Sequence, residues 1–174
     1  MRALVNKKLV LRAAAALLIA STAAGCGFQL RGANGSYAMP FKSIYLGLPD
    51  TSALGVELKR NLRAGDQVVI ADKAEGAEAQ FVLLGEVRNK SILSLNSLGR
   101  VREYLLSYTV SYTVRDAKGA VLVPPTDISL RRNMAFDETQ VLAKESEEAL
   151  LYRDMQADLV QQIIRRMAAM KNAG

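Results

Sequence analysis

The strongest restriction on how this chain folds is a run of strict alternation near its middle. Tyr104, Leu106, Tyr108, Val110, Tyr112 and Val114 take every second position, and Ser107, Thr109, Ser111, Thr113 and Arg115 fill the places between. Successive side chains of a strand point to opposite faces, so this period of two puts the apolar groups on one face and the hydroxyls on the other. A slip of one residue would exchange the faces, so burial fixes the register. Whatever else the chain forms has to cover the apolar face.

The flanking segments supply partners and a cover. The long strand begins near Val101, and Asp116 to Gly119 reads as a hairpin turn. Beyond Pro124-Pro125, which suits an edge because Pro cannot donate to a ladder, Ile128, Leu130, Met134 and Phe136 continue the alternation. Upstream, Phe81, Leu83 and Val87 alternate with Glu86, Arg88 and Lys90, and Ile44, Leu46 and Leu48 mark a first short strand. Pro49-Asp50-Thr51 ends it and offers helix N-caps. Leu54, Leu58 and Leu62 then recur every four residues up to Gly65, as on an amphipathic helix. Gln67 to Ala71 has the composition of a brief strand, and Asp72 to Glu78 that of a surface loop. From Thr139 to Met170 the period changes again, with Leu151, Met155, Leu159, Ile163 and Met167 on one helical stripe.

The expected order is β-α-β-β-β-α. One apolar stripe per helix and one apolar face per strand are best satisfied by an α+β two-layer sandwich, two helices packed on one face of a mostly antiparallel four-stranded sheet. The expectation is one domain over residues 41–174, with the Ser, Thr and Arg face of the sheet left open or covered by another protein.

The amino terminus reads as an address. Residues 1–12 carry Arg2, Lys7, Lys8 and Arg12 without an acid, an apolar run follows from Ala13 to Ala24, and the small residues end at Cys26. Residues 1–25 are therefore expected to be a removable signal, and residues 26–40, rich in Gly, Asn and Ser, a tether. Ala23-Ala24-Gly25-Cys26 resembles the lipobox of bacterial lipoproteins, which makes Cys26 the lipidation site. Gly27 in place of Asp implies, by the same resemblance, transfer to the outer membrane. Several acyl chains give stable anchoring, because each buried methylene contributes about 0.8 kcal/mol.

Removing the signal lowers the net charge from +6 to +2. A mature chain so nearly balanced offers little to displace counterions from phosphates, which argues against nucleic acid as a partner. The absence of His and the single Cys exclude the common zinc sites, Ser-His activation and an internal disulfide. No metal, cofactor or catalytic residue is expected.

The stretch "NMAFDETQVLAKESEEALLYRDMQADLVQQIIRRM", with "CGFQLRG", "ELKRNLRAG" and "EYLLSYTVSYTVRD", resembles the lipopolysaccharide-assembly lipoprotein family LptE across nearly the whole mature chain. The resemblance implies a protein that plugs the LptD outer-membrane barrel, assists its assembly and binds lipopolysaccharide on its way to the cell surface. It implies a ligand-binding cation at Lys144, in the "LAK" triplet, and a second before the long strand, at Arg100 or Arg102. Arg131 extends the basic candidates, and Arg132 beside it must point to the other face. Glu86 to Arg132 holds eight basic and four acidic residues, and Asp137 to Asp158 two and seven, so the chain is polarised. The rivals are another outer-membrane assembly or pilotin-like lipoprotein, and a periplasmic hydrolase using Glu103 and Glu86 as acid and base.

The anchor is testable. Globomycin is expected to block maturation, and Cys26→Ala to accumulate as precursor. A Cys26→Ala chain that is still processed and retained on membranes refutes lipidation there.

Overall fold

The computed structural model describes residues 39–65 and 68–170. The expected signal, Cys26 and most of the expected tether lie outside the described residues. The elements are β1 (Ser43–Gly47), α1 (Ala53–Ala64), β2 (Val69–Ala71), β3 (Ala79–Leu95), β4 (Val101–Asp116) and β5 (Val121–Ala135). A 3-10 turn at Glu138–Gln140 then leads into α2 (Val141–Ala168).

The α+β class and both helices agree with the expectation, but the sheet has five strands, not four, in the order β2-β1-β3-β4-β5. The added strand, β2, is too short at three residues for periodicity to register. It pairs in parallel with β1, which is also parallel to β3, whereas β3, β4 and β5 form antiparallel ladders. α1 is the crossover that sets β2 parallel to β1, and the 72–78 connection returns the chain again so that β3 also runs parallel to β1. Ser52, one residue past the expected candidates, caps α1, its Oγ accepting from the Gly55 N–H at 3.1 Å.

The alternation in β4 is realised as expected. Leu106, Tyr108, Val110, Tyr112 and Val114 are fully buried against Leu54 and Leu58 of α1 and Met155, Leu159, Ile163 and Met167 of α2 in one cluster. Phe81 of β3 stacks on Tyr112 with ring centroids 5.2 Å apart. The hydroxyl face of β4 carries no second layer among the described residues. The Asp116–Gly119 turn is present, with Asp116 Oδ1 accepting from the Lys118 and Ala120 N–H groups and Gly119 at φ +86°. β5 is an edge strand, as Pro124-Pro125 requires.

β3 corrects the sequence reading. Its pairing slips between Leu83 and Gly85, so Leu83 opposes Tyr112 and Gly85 opposes Ser111. This bulge adds one residue to β3 and exchanges the faces beyond it. Glu86, Arg88 and Lys90, opposite Val110, Tyr108 and Leu106, therefore lie on the helix side, while Val87 points to the open side and is exposed.

Deleting Leu84 removes the extra residue and keeps Phe81, Leu83, Glu86, Arg88 and Lys90 on their present faces. The deletion is expected to fold within about 2 kcal/mol of the parent in urea denaturation. Phe81→Ala, which hollows the core, is expected to cost about 3–5 kcal/mol. A larger loss from the deletion than from Phe81→Ala contradicts this assignment of faces.

Candidate functional site

Two of the candidate cations, Arg100 and Arg102, meet at the far end of the β3–β4 hairpin. Its turn is built by Asn96, whose Oδ1 accepts from the Leu98 and Arg100 N–H groups at 2.9 and 3.0 Å, with Gly99 at φ +75°. That turn fixes the Arg100 backbone. The Phe136 N–H donates to the Arg102 carbonyl at 2.9 Å, holding the end of β5 beside the start of β4. Between hairpin and β5–α2 connection lies an open groove of about 260 Å³, lined by Asn96, Arg100, Arg102, Phe136, Asp137 and Glu138 among others.

Two of the predicted cations are in ion pairs. Arg100 Nη1 lies 3.1 Å from Glu138 Oε2, with both side chains more than half exposed. Lys144 Nζ, on the first turn of α2, lies 2.8 Å from Glu147 Oε2, and its side chain is only 17% exposed. Asp137 Oδ1 accepts from the Thr139 N–H and Oγ1, at 2.9 and 2.8 Å. Those bonds, with a smaller contribution from Lys144, hold the Asp137 carboxyl below the usual carboxylate range.

The structure thus joins Arg100 and Arg102 in one groove, with Lys144 acting on a carboxylate that lines it. It does not bring Arg131 there. Arg131 stands opposite Ser107 on the open sheet face, four positions from the Glu103–Ala135 pair and so about 13 Å along the strand. Arg132 points to the helix side and bonds Asp158 of α2 at 2.9 Å.

Sequence reasoning missed two features. Ile92, Leu93, Leu95 and Leu98 all project into solvent at the hairpin tip, Leu98 being 78% exposed. The bulge also places a charged cluster beneath α2. Arg88 Nη2 bonds Tyr108 Oη at 3.2 Å and Gln156 Oε1 at 2.9 Å, and its guanidinium lies 4.5 Å from the Tyr108 ring centroid and 5.6 Å from that of Tyr152. Tyr108 donates to Glu86, and Gln156 Nε2 donates to Glu57 Oε2 of α1 at 2.6 Å. Lys90 bonds Glu148 at 2.5 Å. These contacts tie both helices to the sheet. Burial, followed by the hydrogen bond to Glu86, pushes the Tyr108 phenol up to about 12.

The geometry disposes of the proposed acid–base pair. Glu86 lies on the helix side opposite Val110, and Glu103 on the open side, where it accepts from Ser94 Oγ at 2.6 Å. Seven strand positions separate Val110 from Glu103, about 23 Å. Two carboxylates acting on one bond stand roughly 5–10 Å apart.

Two layers, one open polar sheet face and a groove of two arginines and two carboxylates at the hairpin end define the class, an α+β lipoprotein domain also seen in solved structures. A lipoprotein B of Nitrosomonas europaea is 40% identical with a TM-score of 0.70, covering 82% of this chain and 91% of that one. The rare lipoprotein B of Shewanella oneidensis is 29% identical with a TM-score of 0.65, covering 74% and 95%. The chain belongs to the LptE lipopolysaccharide-assembly family, whose model matches residues 41–167. An LPS-assembly lipoprotein LptE of Yersinia enterocolitica is 25% identical over 160 residues, covering 86% of this chain and 74% of that one. The family is associated with the outer membrane, and among the described residues no helix is long and apolar enough to cross a membrane.

The raised Tyr108 value makes stability depend on alkaline pH. The folded state holds this proton longer than the unfolded chain, so the contribution is complete below pH 10 and is lost as pH rises toward 12. Between pH 9 and 11.5 Tyr108→Phe is expected to lose about 1–2 kcal/mol less than the parent in denaturant titrations. Equal losses in both proteins contradict this.

Proposed function

We propose that this chain plugs an LptD-type outer-membrane barrel, assists its assembly and binds lipopolysaccharide during transport to the surface. The observation that carries the proposal is the uncovered sheet face. Asn89 and Ser91 of β3, Ser107, Thr109 and Ser111 of β4, and Ser129 and Arg131 of β5 spread five hydroxyls, one amide and one cation around the exposed Val87 over three long strands. Such a face suits the polar lumen of a barrel, where side chains and water satisfy it. Arg131, in the middle of that face, is assigned to the barrel and not to the ligand.

The ligand role rests on the groove. Arg100, Arg102 and Lys144 are the cations for the phosphates of lipid A and the inner core sugars, since charge-assisted bonds to phosphate are about twice as strong as neutral ones. The domain over residues 41–174 acts on a tether from lipidated Cys26, in the barrel lumen or facing the periplasm.

Arg100→Asp, Lys144→Asp in one folded chain is expected to lower lipopolysaccharide affinity at least about tenfold, a change of about 1.4 kcal/mol. Arg131→Asp is expected to leave that affinity intact and to weaken co-purification with the barrel. Unchanged affinity in the double variant, measured by binding of labelled lipopolysaccharide, overturns the ligand assignment.

A further inference from the structure

Two of the cations assigned to the ligand already hold a carboxylate, Glu138 on Arg100 and Glu147 on Lys144. The third carboxylate nearby, Asp137, is committed to Thr139 and the turn it caps. Arg102, in the same groove, has no ion pair among the described residues. In the groove an incoming phosphate therefore meets one open cation and one closed one, while Lys144, outside the groove lining, is closed as well.

We propose that Glu138 and Glu147 are affinity-determining residues that compete from within the protein for the cations that take the ligand's phosphates. The inference rests on the reading of Arg100 and Lys144 given under the proposed function. Each carboxylate holds its cation until a phosphate replaces it, and rebinds when the phosphate leaves. The exchange is feasible because the exposed Arg100–Glu138 pair is screened by water and the Glu147 end of the other pair is itself partly exposed, whereas a phosphomonoester carries up to about two charges and three strong acceptor oxygens. The competition lowers net affinity and speeds dissociation, which suits a protein that must hand its cargo onward. Lys144 feels this most, because its mostly covered side chain has to leave Glu147 before it reaches any ligand.

The test measures binding and dissociation of labelled lipopolysaccharide on the mature lipidated protein in detergent. Glu138→Gln, Glu147→Gln in one chain is compared with Glu145→Gln, Glu75→Gln, which removes the same charge from exposed residues that have no ion pair among the described residues. The first pair is expected to bind about three- to twentyfold tighter, chiefly through slower dissociation, and the control less than about twofold tighter. Equal tightening in both overturns the proposal, because net charge alone then explains it. The Arg100→Asp, Lys144→Asp chain separates the two levels: if it binds as well as the parent, the ligand reading itself falls. If it loses binding while the Gln pair matches its control, only the internal competition is refuted.

Discussion

The structure depends on burying the apolar face of β4. Five consecutive inward residues, from Leu106 to Val114, are inaccessible to water and share one core with two helices distant in sequence. At about 25 cal/mol per Å² of apolar area, no hydrogen bond within the layers contributes on the same scale. β3 and β5 are aligned by the ladders to β4, and the helices are held by the stripe they lay across it. The hydroxyl face follows as a consequence, since a period of two that satisfies the core leaves the alternate positions for something else.

That division is not kept along the whole sheet. Past the bulge in β3 the helix side carries Glu86, Arg88 and Lys90 instead of aliphatic residues, and β5 places Arg132 there. These groups are tolerated because each finds a partner: Tyr108 and Gln156 for Arg88, Glu148 for Lys90, Asp158 for Arg132. A charge fully buried without such partners would cost several kcal/mol, and these half-exposed ones keep part of their hydration as well. The two-layer core is thus apolar at the β1 end and polar toward the hairpin end, and the groove begins where the polar part meets solvent.

The legible parts were those whose signal is local. β4, both helices, the Asp116–Gly119 turn and the edge position of Pro124-Pro125 could be read because each depends on residues close in sequence. β2 was not counted because three residues hold less than two periods. The faces of Glu86, Arg88 and Lys90 were reversed because a bulge is set by the partner strand, and its one local sign, Gly85 inside the strand pattern, was not read as such. For the candidate site, the cations were legible from type and family pattern, whereas the Lys144–Glu147 pair, though at a helical spacing of three, was not read. The Arg100–Glu138 pair and the groove join segments 38 residues apart, which only the assembled sheet brings together.

Under the proposed function, the separation of Arg131 from Arg100 would let one small domain serve two partners without conflict. A strand sends adjacent side chains to opposite faces, so Arg131 and Arg132, identical in chemistry, address different surroundings. Arg132 is consumed by α2, while Arg131 stands on a broad face that a rigid wall can cover. The groove cations stand instead at an end, where a hairpin tip and a helix start leave side chains room to exchange partners. A surface meant for a fixed neighbour gains from flatness and satisfied polarity, whereas one that must catch and release gains from weak, replaceable ion pairs. The sheet supplies the first along its face and the second at its edge.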